Sequence, residues 1–168
     1  MPDKETLARA KKDKREGKAP TTQAGEFVRE EIEHIRQGKH GARSTQQAIA
    51  IGLSKARRAG VDLPPPKKGT TSTETRRSAK RAYEAGRKGK KDVSPTRSRA
   101  VTQALKHEPR STVSKEALAE QAHRAAAQRT RSDRSAAARK AVRTKGVAGR
   151  SAAARKAART RARERTSR

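Results

Sequence analysis

Arginine and lysine are the residues of this chain with the clearest chemistry, and near the C-terminal end they recur at a fixed spacing. Residues 134–144 read RSAAARKAVRT and residues 150–160 read RSAAARKAART, so the two copies differ only at Val142 and Ala158. Guanidinium and ammonium groups neutralise phosphates, and alanines between them let a backbone approach a duplex closely. Compositional drift in a genome rich in G and C also yields alanine and arginine, but it does not predict a near-perfect repeat. The pattern predicts a binder of polyanions.

The predicted phosphate contacts are the basic residues of the two repeats and their flanks: Arg134, Arg139, Lys140, Arg143, Lys145, Arg150, Arg155, Lys156, Arg159, Arg161 and Arg163. A second basic element, Ser94-Pro95-Thr96-Arg97, adds Arg97 and Arg99. It resembles the S-P-K/R-K/R motifs of linker-histone tails, whose tight turns suit a narrow A·T minor groove. A capped helix start, with Ser94 as N-cap and Pro95 in the first turn, explains the same residues and is the preferred interpretation.

Residue types that support catalysis or metal binding are sparse. His34 and His40, separated by five residues across a glycine turn, lie near several glutamates in the sequence. This is a weak pattern for metal ligands, and both side chains are interpreted as solvated. The chain has no cysteine, glycine-rich phosphate loop or nucleophile elbow. The sequence therefore predicts no metal, no cofactor, no small-molecule substrate and no enzymatic activity.

Composition favours an acidic partner and argues against a large core. The 168 residues carry a net charge of +28, of which residues 121–168 supply +14. Leu, Ile, Val and Phe together number seventeen, about a tenth of the chain. Below roughly 20% of these residues, with high net charge, disorder is the expected state. We therefore expect a largely disordered Ala/Arg-rich tail that gains helix when phosphates remove the repulsion between its arginines.

Aromatic and apolar residues discriminate between the acidic partners. Membrane-surface helices usually carry Trp, Phe or Leu on one face, and the basic tail has only alanines and a few valines there. Binders of single strands stack bases on aromatic rings, and this chain has only Phe27 and Tyr83. Neither a signal peptide nor a membrane span is expected. Duplex DNA is the predicted partner, in the cytoplasm at the nucleoid, with no membrane contact.

The large aliphatic residues concentrate in the segment 20–63, where two amphipathic helices are predicted. The first carries an apolar stripe until Gly38, and the second begins at an S-x-x-Q capping box at Ser44 and ends at Gly60. Burying both stripes predicts a small antiparallel helical pair in which Gly52 allows close approach. Its predicted core consists of Phe27, Val28, Ile32, Ile35, Ile49 and Leu53.

The predicted fold class is mainly α: the helical pair, then short helices and the disordered basic tail. The predicted segments are a polar N-terminal segment at 1–19, the helical pair at 20–63, a Pro/Lys linker at 64–72, short basic helices at 73–110 and the repeat tail at 111–168.

Two hypotheses remain open for the helical pair. As a helix-turn-helix reader, it would turn Arg43, Lys55, Arg57 and Arg58 toward DNA, but its first helix carries four glutamates that oppose phosphates. The chain also lacks asparagine, so the bidentate contact of Asn with adenine is not available. The alternative is homodimerisation or docking of a protein partner.

The run GKHGARSTQQAIAIGLSKARRAG at 38–60 resembles the signature of a family of small basic bacterial proteins described only as a domain of unknown function. The resemblance extends upstream through TQAGEFVREEIEHIRQ and, more loosely, through LPPPKKG and the SAAARKAARTRA tail. It implies no activity, cofactor or catalytic residue. The tail separately resembles bacterial histone-H1-like proteins in its repetitive alanine and basic residues, which implies association with the nucleoid.

Together these patterns predict a non-catalytic, nucleoid-associated protein that binds double-stranded DNA without sequence preference, by phosphate neutralisation. Two alternatives remain: a basic protein that associates with RNA or the ribosome, and an adaptor whose working part is the helical pair.

Overall fold

The computed structural model describes residues 2–89 and 94–166, and in these ranges the chain forms helices and no strand. The predicted segments 1–19, 73–110 and 111–168 therefore include a few positions outside the described residues. The helices are α1 (Lys4–Arg15), α2 (Pro20–Arg36), α3 (Thr45–Arg58), α4 (Thr73–Arg87), α5 (Pro95–Lys106), α6 (Lys115–Ala127) and α7 (Arg131–Thr166), with a 3-10 turn at Ser111–Val113. The prediction of a mainly α protein is confirmed.

Helices α2 and α3 form the antiparallel pair that the two stripes predict. Ala24 near the start of α2 shares a buried cluster with Ala56 near the end of α3. At the other end of the pair, Ile35 of α2 packs with Ala48 of α3. Midway, a Cβ at Gly52 would lie 2.6 Å from the Cα of Val28. Only glycine therefore permits this close approach of the two backbones.

The ends of the pair follow from local sequence. Gly38 and Gly60 have φ angles of 75° and 86°, a left-handed conformation that ends a helix at little cost for glycine. Ser44 caps α3, since its hydroxyl oxygen accepts a hydrogen bond from the Gln47 amide at 3.1 Å. The Gln47 side chain in turn accepts from the amide of Arg43, one residue before the cap.

Two further helices extend the pair. α1 packs on α2 through Leu7 and Ala10, which join the cluster around Phe27. α4 packs on α3, and its buried residues are Ala79 and Ala82. Alanine faces allow helices to approach closely, so α4 docks with only small side chains buried. The folded part is consequently larger than a helical pair.

The core consists of two small clusters. One contains Ala10, Ala24, Phe27, Ala56, Val61 and Leu63, and the other contains Ile35, Ala42, Ala48 and Val113. Of the predicted core residues, Phe27 and Ile35 are fully buried. Leu53 packs on the first cluster and Ile32 on the second, both half-buried. Val28 and Ile49 are half-buried too.

Val113 reaches the second cluster from a distant part of the sequence. The 3-10 turn that carries it lies against α3 and the loop before it: the Thr45 hydroxyl donates to the Thr112 carbonyl at 2.6 Å, and the Thr112 hydroxyl donates to the Ala42 carbonyl at 3.1 Å. Residues just after 110, which the sequence places in the basic tail, therefore belong to the folded part.

The chain divides into two units, Met1–Gln121 and Ala122–Arg168, with the boundary inside α6. The second unit is dominated by α7, whose 36 residues include both repeats. The predicted disorder of the tail is therefore wrong for the described residues, which are mostly helical. Alanine has the highest helix propensity, and it outweighs repulsions between like charges four residues apart, which cost only about 0.2–0.5 kcal/mol each.

Gly146 interrupts α7 with φ 62° and ψ −177°, a conformation essentially restricted to glycine. One repeat lies on each side of it. The start of α7 is fixed by a reciprocal cap, in which the Thr130 hydroxyl accepts from the Asp133 amide and donates to the Asp133 carboxylate at 2.7 Å.

Candidate nucleic-acid interface

The predicted phosphate-binding residues on α7 are all exposed, from Arg134 to Arg163. No residue of α7 whose side chain the structure describes is buried, so no face of the helix is occupied by a core. The helix therefore presents its cations to solvent over its whole described length.

The repeat spacing arranges these cations in two rows. At about 3.6 residues per turn, Arg139, Lys140 and Arg143 project from one side of the helix, and Arg134 and Lys145 project from the opposite side. Between the rows lie alanines and Val142.

The second repeat reproduces this arrangement. Arg155, Lys156 and Arg159 lie on one side, opposite Arg150 and Arg161. Some of these side chains also cap the helix backbone: the Arg150 Nε donates to the Gly146 carbonyl at 3.1 Å. Each half of α7 is thus a helix with basic residues on two opposite sides.

Arg97 and Arg99 lie on α5, apart from α7 in the sequence, and both are exposed. The Ser94 hydroxyl accepts from the Arg97 amide at 3.5 Å, and Pro95 is the first residue of the helix. The Ser-Pro-Thr-Arg element is therefore a capped helix start, as preferred from the sequence.

The four cations assigned to a helix-turn-helix reader, Arg43 before α3 and Lys55, Arg57 and Arg58 on it, are arranged differently, because two of them face inward. Arg57 is buried; its Nε donates to the Leu63 carbonyl at 3.1 Å and its Nη2 to the Pro64 carbonyl at 3.4 Å. This burial lowers the pKa of the Arg57 guanidinium. Lys55 Nζ lies 2.6 Å from Glu31 Oε2. The helix-turn-helix hypothesis loses both cations, and Arg43 and Arg58 alone stay exposed.

The interpretation of His34 and His40 as solvated side chains is wrong. The side chains of His34 and His40 are only 12% and 13% exposed, and their ring centroids are 6.4 Å apart in an edge-on arrangement. His34 contacts Asp3, and His40 contacts the buried Glu31. The i, i+3 spacing of Glu31 and His34, which puts both on one helix face, is the sequence pattern that could have indicated this cluster.

Helices of sufficient length and apolar character to cross a membrane are absent from the described residues. The most basic helix, α7, carries charges along both repeats.

Residues 11–68 match the model of a family of unknown function (DUF6496). The match includes α2, α3 and the C-terminal end of α1, and it does not include α7. The resemblance to an uncharacterised family is thus confirmed for this stretch of the chain. No curated protein and no solved structure matches the chain. The family description names no activity.

Proposed function

We propose that this protein binds double-stranded DNA without sequence preference, through the cations of α7, as a nucleoid-associated protein. The observation that carries the proposal is the pair of exposed helical repeats, each with basic residues on two opposite sides and no buried residue. Such a helix has no face suited to a protein core, but it has two rows of phosphate ligands.

Duplex DNA matches two opposite rows of cations. The major groove is about 12 Å wide, admits one α-helix, and is bordered by the phosphates of both strands. A helix lying in it places one basic row near each strand, while the small alanines permit a close approach of the backbone. Arginine contacts to phosphate position a protein on DNA and do not read its sequence. The interaction is therefore expected to tolerate any sequence.

The division of roles between the units supports α7 as the DNA-binding element. Lys55 and Arg57 are committed to the interior of the first unit, and α2 carries Glu26, Glu30, Glu31 and Glu33. The second unit has only Asp133 and Glu164 as acidic residues. Phosphates are attracted most strongly where acidic residues are fewest.

A matched pair of charge variants tests the proposal in the full chain. The first variant replaces six cations of the repeats by glutamine: Arg139, Lys140, Arg143, Arg155, Lys156 and Arg159. The control replaces six exposed cations of the first unit: Lys11, Lys14, Arg15, Lys67, Lys68 and Arg77. Both variants lose the same net charge. We expect the repeat variant to lose on the order of 100-fold or more in affinity for a 30-bp duplex, and the control to lose much less.

The salt dependence of duplex binding, and the comparison of different nucleic acids, test the mechanism. Counterion release predicts that log Kd changes linearly with log salt, and that affinity falls on the order of 10³ or more between 50 and 200 mM if six or more phosphates are engaged. Scrambled duplexes should bind equally well. Equal losses in the two variants would overturn the assignment to α7, and tighter binding of structured RNA than of duplex DNA would favour the RNA alternative. If a chain that ends at residue 129 still binds every partner of the full chain, the result would favour the alternative of an adaptor that works through the helical pair.

A further inference from the structure

A cluster of metal-ligating side chains lies between α2 and the loop that follows it. Glu31, His34 and His40 each place one donor atom within 4.8 Å of the other two. Asp3, Glu30 and His34 form an adjoining group by the same measure, so His34 belongs to both. This cluster is separate from the repeats of α7 and takes no part in the proposed DNA binding.

Glu31 is the most deeply buried member, with its side chain 1% exposed. Its Oε2 forms an ion pair with Lys55 Nζ at 2.6 Å. Its Oε1 accepts no hydrogen bond from the described residues. Oε1 points instead to His40, whose Nε2 is 3.5 Å away. Burying a carboxylate oxygen without a hydrogen-bond donor costs free energy, and a cation bound at Oε1 would offset that cost.

The orientation of His40 strengthens this requirement. Its Nδ1 lies 3.0 Å from the Gly41 carbonyl oxygen, which can only accept. Nδ1 must therefore carry the proton of that hydrogen bond, and in the neutral ring Nε2 then has a lone pair. His40 Nε2 lies 3.5 Å from Glu31 Oε1, so the two atoms are placed to act as donors to one metal ion. Two donors bound to one zinc ion at about 2.1 Å are about 3.4 Å apart.

The charges around the cluster do not balance. The buried carboxylates of Glu30 and Glu31 share one ammonium, that of Lys55, at 3.8 and 2.6 Å. Glu30 Oε1 also lacks a hydrogen-bond donor. Two buried carboxylates against one ammonium leave one negative charge in excess, which a cation at the cluster would neutralise.

We propose that Glu31, His34 and His40 bind a divalent transition-metal ion of the zinc class. Two imidazoles and one carboxylate form the donor set that suits zinc better than calcium or magnesium, which prefer oxygen alone. Asp3, with Oδ2 at 3.2 Å from His34 Nε2, and the Gly41 carbonyl orient the two rings, as outer partners of metal-bound histidines commonly do. Three protein ligands leave a fourth position for water.

The bound ion would join the C-terminal half of α2 to the loop that precedes α3. His40 lies in that loop, and Glu31 and His34 lie on the helix. A metal that binds only the folded arrangement stabilises it, so saturation should raise the melting temperature.

Titration of the full, metal-free chain with ZnCl₂ by calorimetry tests the proposal, with Co²⁺ absorption as a second probe of the ligand set. We expect one ion per chain, a raised melting temperature, and weaker binding at low pH because protons compete for the imidazoles. His40→Gln and Glu31→Gln should each weaken zinc binding by tenfold or more. Circular dichroism without metal checks that each variant is folded.

The other two histidines provide the matched control. His107 and His123 are both exposed, and the double variant His107→Gln/His123→Gln removes as many imidazoles as His34→Gln/His40→Gln. The control should keep full zinc affinity. The proposal is overturned if the wild-type chain binds no zinc at tens of micromolar, or if the control loses binding as much as the cluster variant. It is equally overturned if NMR shows that saturating zinc leaves the ring resonances of His40 unchanged.

Discussion

Lys55 and Glu31 form an inward-facing ion pair across α2 and α3, with Nζ 2.6 Å from Oε2 and the carboxylate almost fully buried. A basic residue that the sequence offers to DNA is thus committed to the structure of the first unit. The pair also explains how α2 accommodates a glutamate in the middle of a helix interface, since an uncompensated carboxylate there would be strongly unfavourable.

Lys55→Met should destabilise the first unit by about 2 kcal/mol or more, because the Glu31 carboxylate would remain buried without its cation. Lys80→Met is the matched control, since Lys80 is 69% exposed and its pair with Glu84 is 3.8 Å long. That change should cost less than about 0.5 kcal/mol. Urea unfolding in chelator measures both. The double change Glu31→Gln/Lys55→Met should recover part of the loss, and no recovery would mean that Lys55 acts through packing alone.

Gly52→Ala should destabilise the unit by about 1–3 kcal/mol. The new Cβ would lie 2.6 Å from the Val28 Cα and 3.0 Å from the Phe27 carbonyl oxygen, so the backbones of α2 and α3 must separate. Gly25→Ala should have the opposite effect on the free energy of unfolding. Gly25 lies in α2 with open space around it, and alanine there should stabilise the helix by about 0.5–1 kcal/mol. Thermal unfolding of the two variants separates helix propensity from interhelical contact, and equal shifts would contradict the close approach.

Alkaline pH should weaken the docking of α4. The Tyr83 hydroxyl donates to Asp62 Oδ1 at 2.5 Å, and this hydrogen bond, with some burial, raises the pKa of Tyr83. Because the folded-state pKa lies above the unfolded value near 10, the contribution is complete below pH 10 and is lost as pH rises through the folded pKa.

Tyr83 is the only tyrosine and the chain has no tryptophan, so its absorbance near 295 nm reports this ionisation alone. Asp62→Asn should move the titration to lower pH. An unchanged titration curve would show that the hydrogen bond does not form in solution.

The tail should be helical before it meets DNA. The circular dichroism of the full chain minus that of a chain ending at residue 129 isolates the tail, and this difference should show helix. Added salt should increase it, since screening weakens the repulsion between Arg139 and Arg143 and between Arg155 and Arg159. If the difference spectrum without DNA is that of a random coil, the tail is disordered in solution and the prediction of a helical tail is wrong.

Sequence reasoning located the helical pair because large side chains such as Phe27 and Ile35 recur with helical spacing. It missed the docking of α1 and α4 because alanine carries no periodic pattern of its own, although Ala10, Ala79 and Ala82 are all buried. The prediction of a disordered tail failed because a scarcity of large apolar residues shows only that a segment lacks a core. It does not exclude an alanine-rich helix.

The polar cluster was missed for a different reason. His34 and His40 are brought together by the turn at Gly38, and Asp3 arrives from the segment before α1. Such proximity depends on how distant segments pack, and spacing along the chain does not encode it. Only the i, i+3 spacing of Glu31 and His34 on α2 could be recognised from the sequence.

Under the proposed DNA binding, the break at Gly146 gives α7 two separate binding arms. A rigid helix of 36 residues would be about 54 Å long, more than one full turn of the duplex, so the groove would curve away from it. Two shorter arms, joined at a glycine, can follow successive stretches of groove or reach two neighbouring duplexes. Once one arm is bound, the other acts at a high effective concentration. Residence time should therefore rise steeply when a duplex becomes long enough for both arms, and at high DNA concentration the same articulation would let one chain cross-link separate helices.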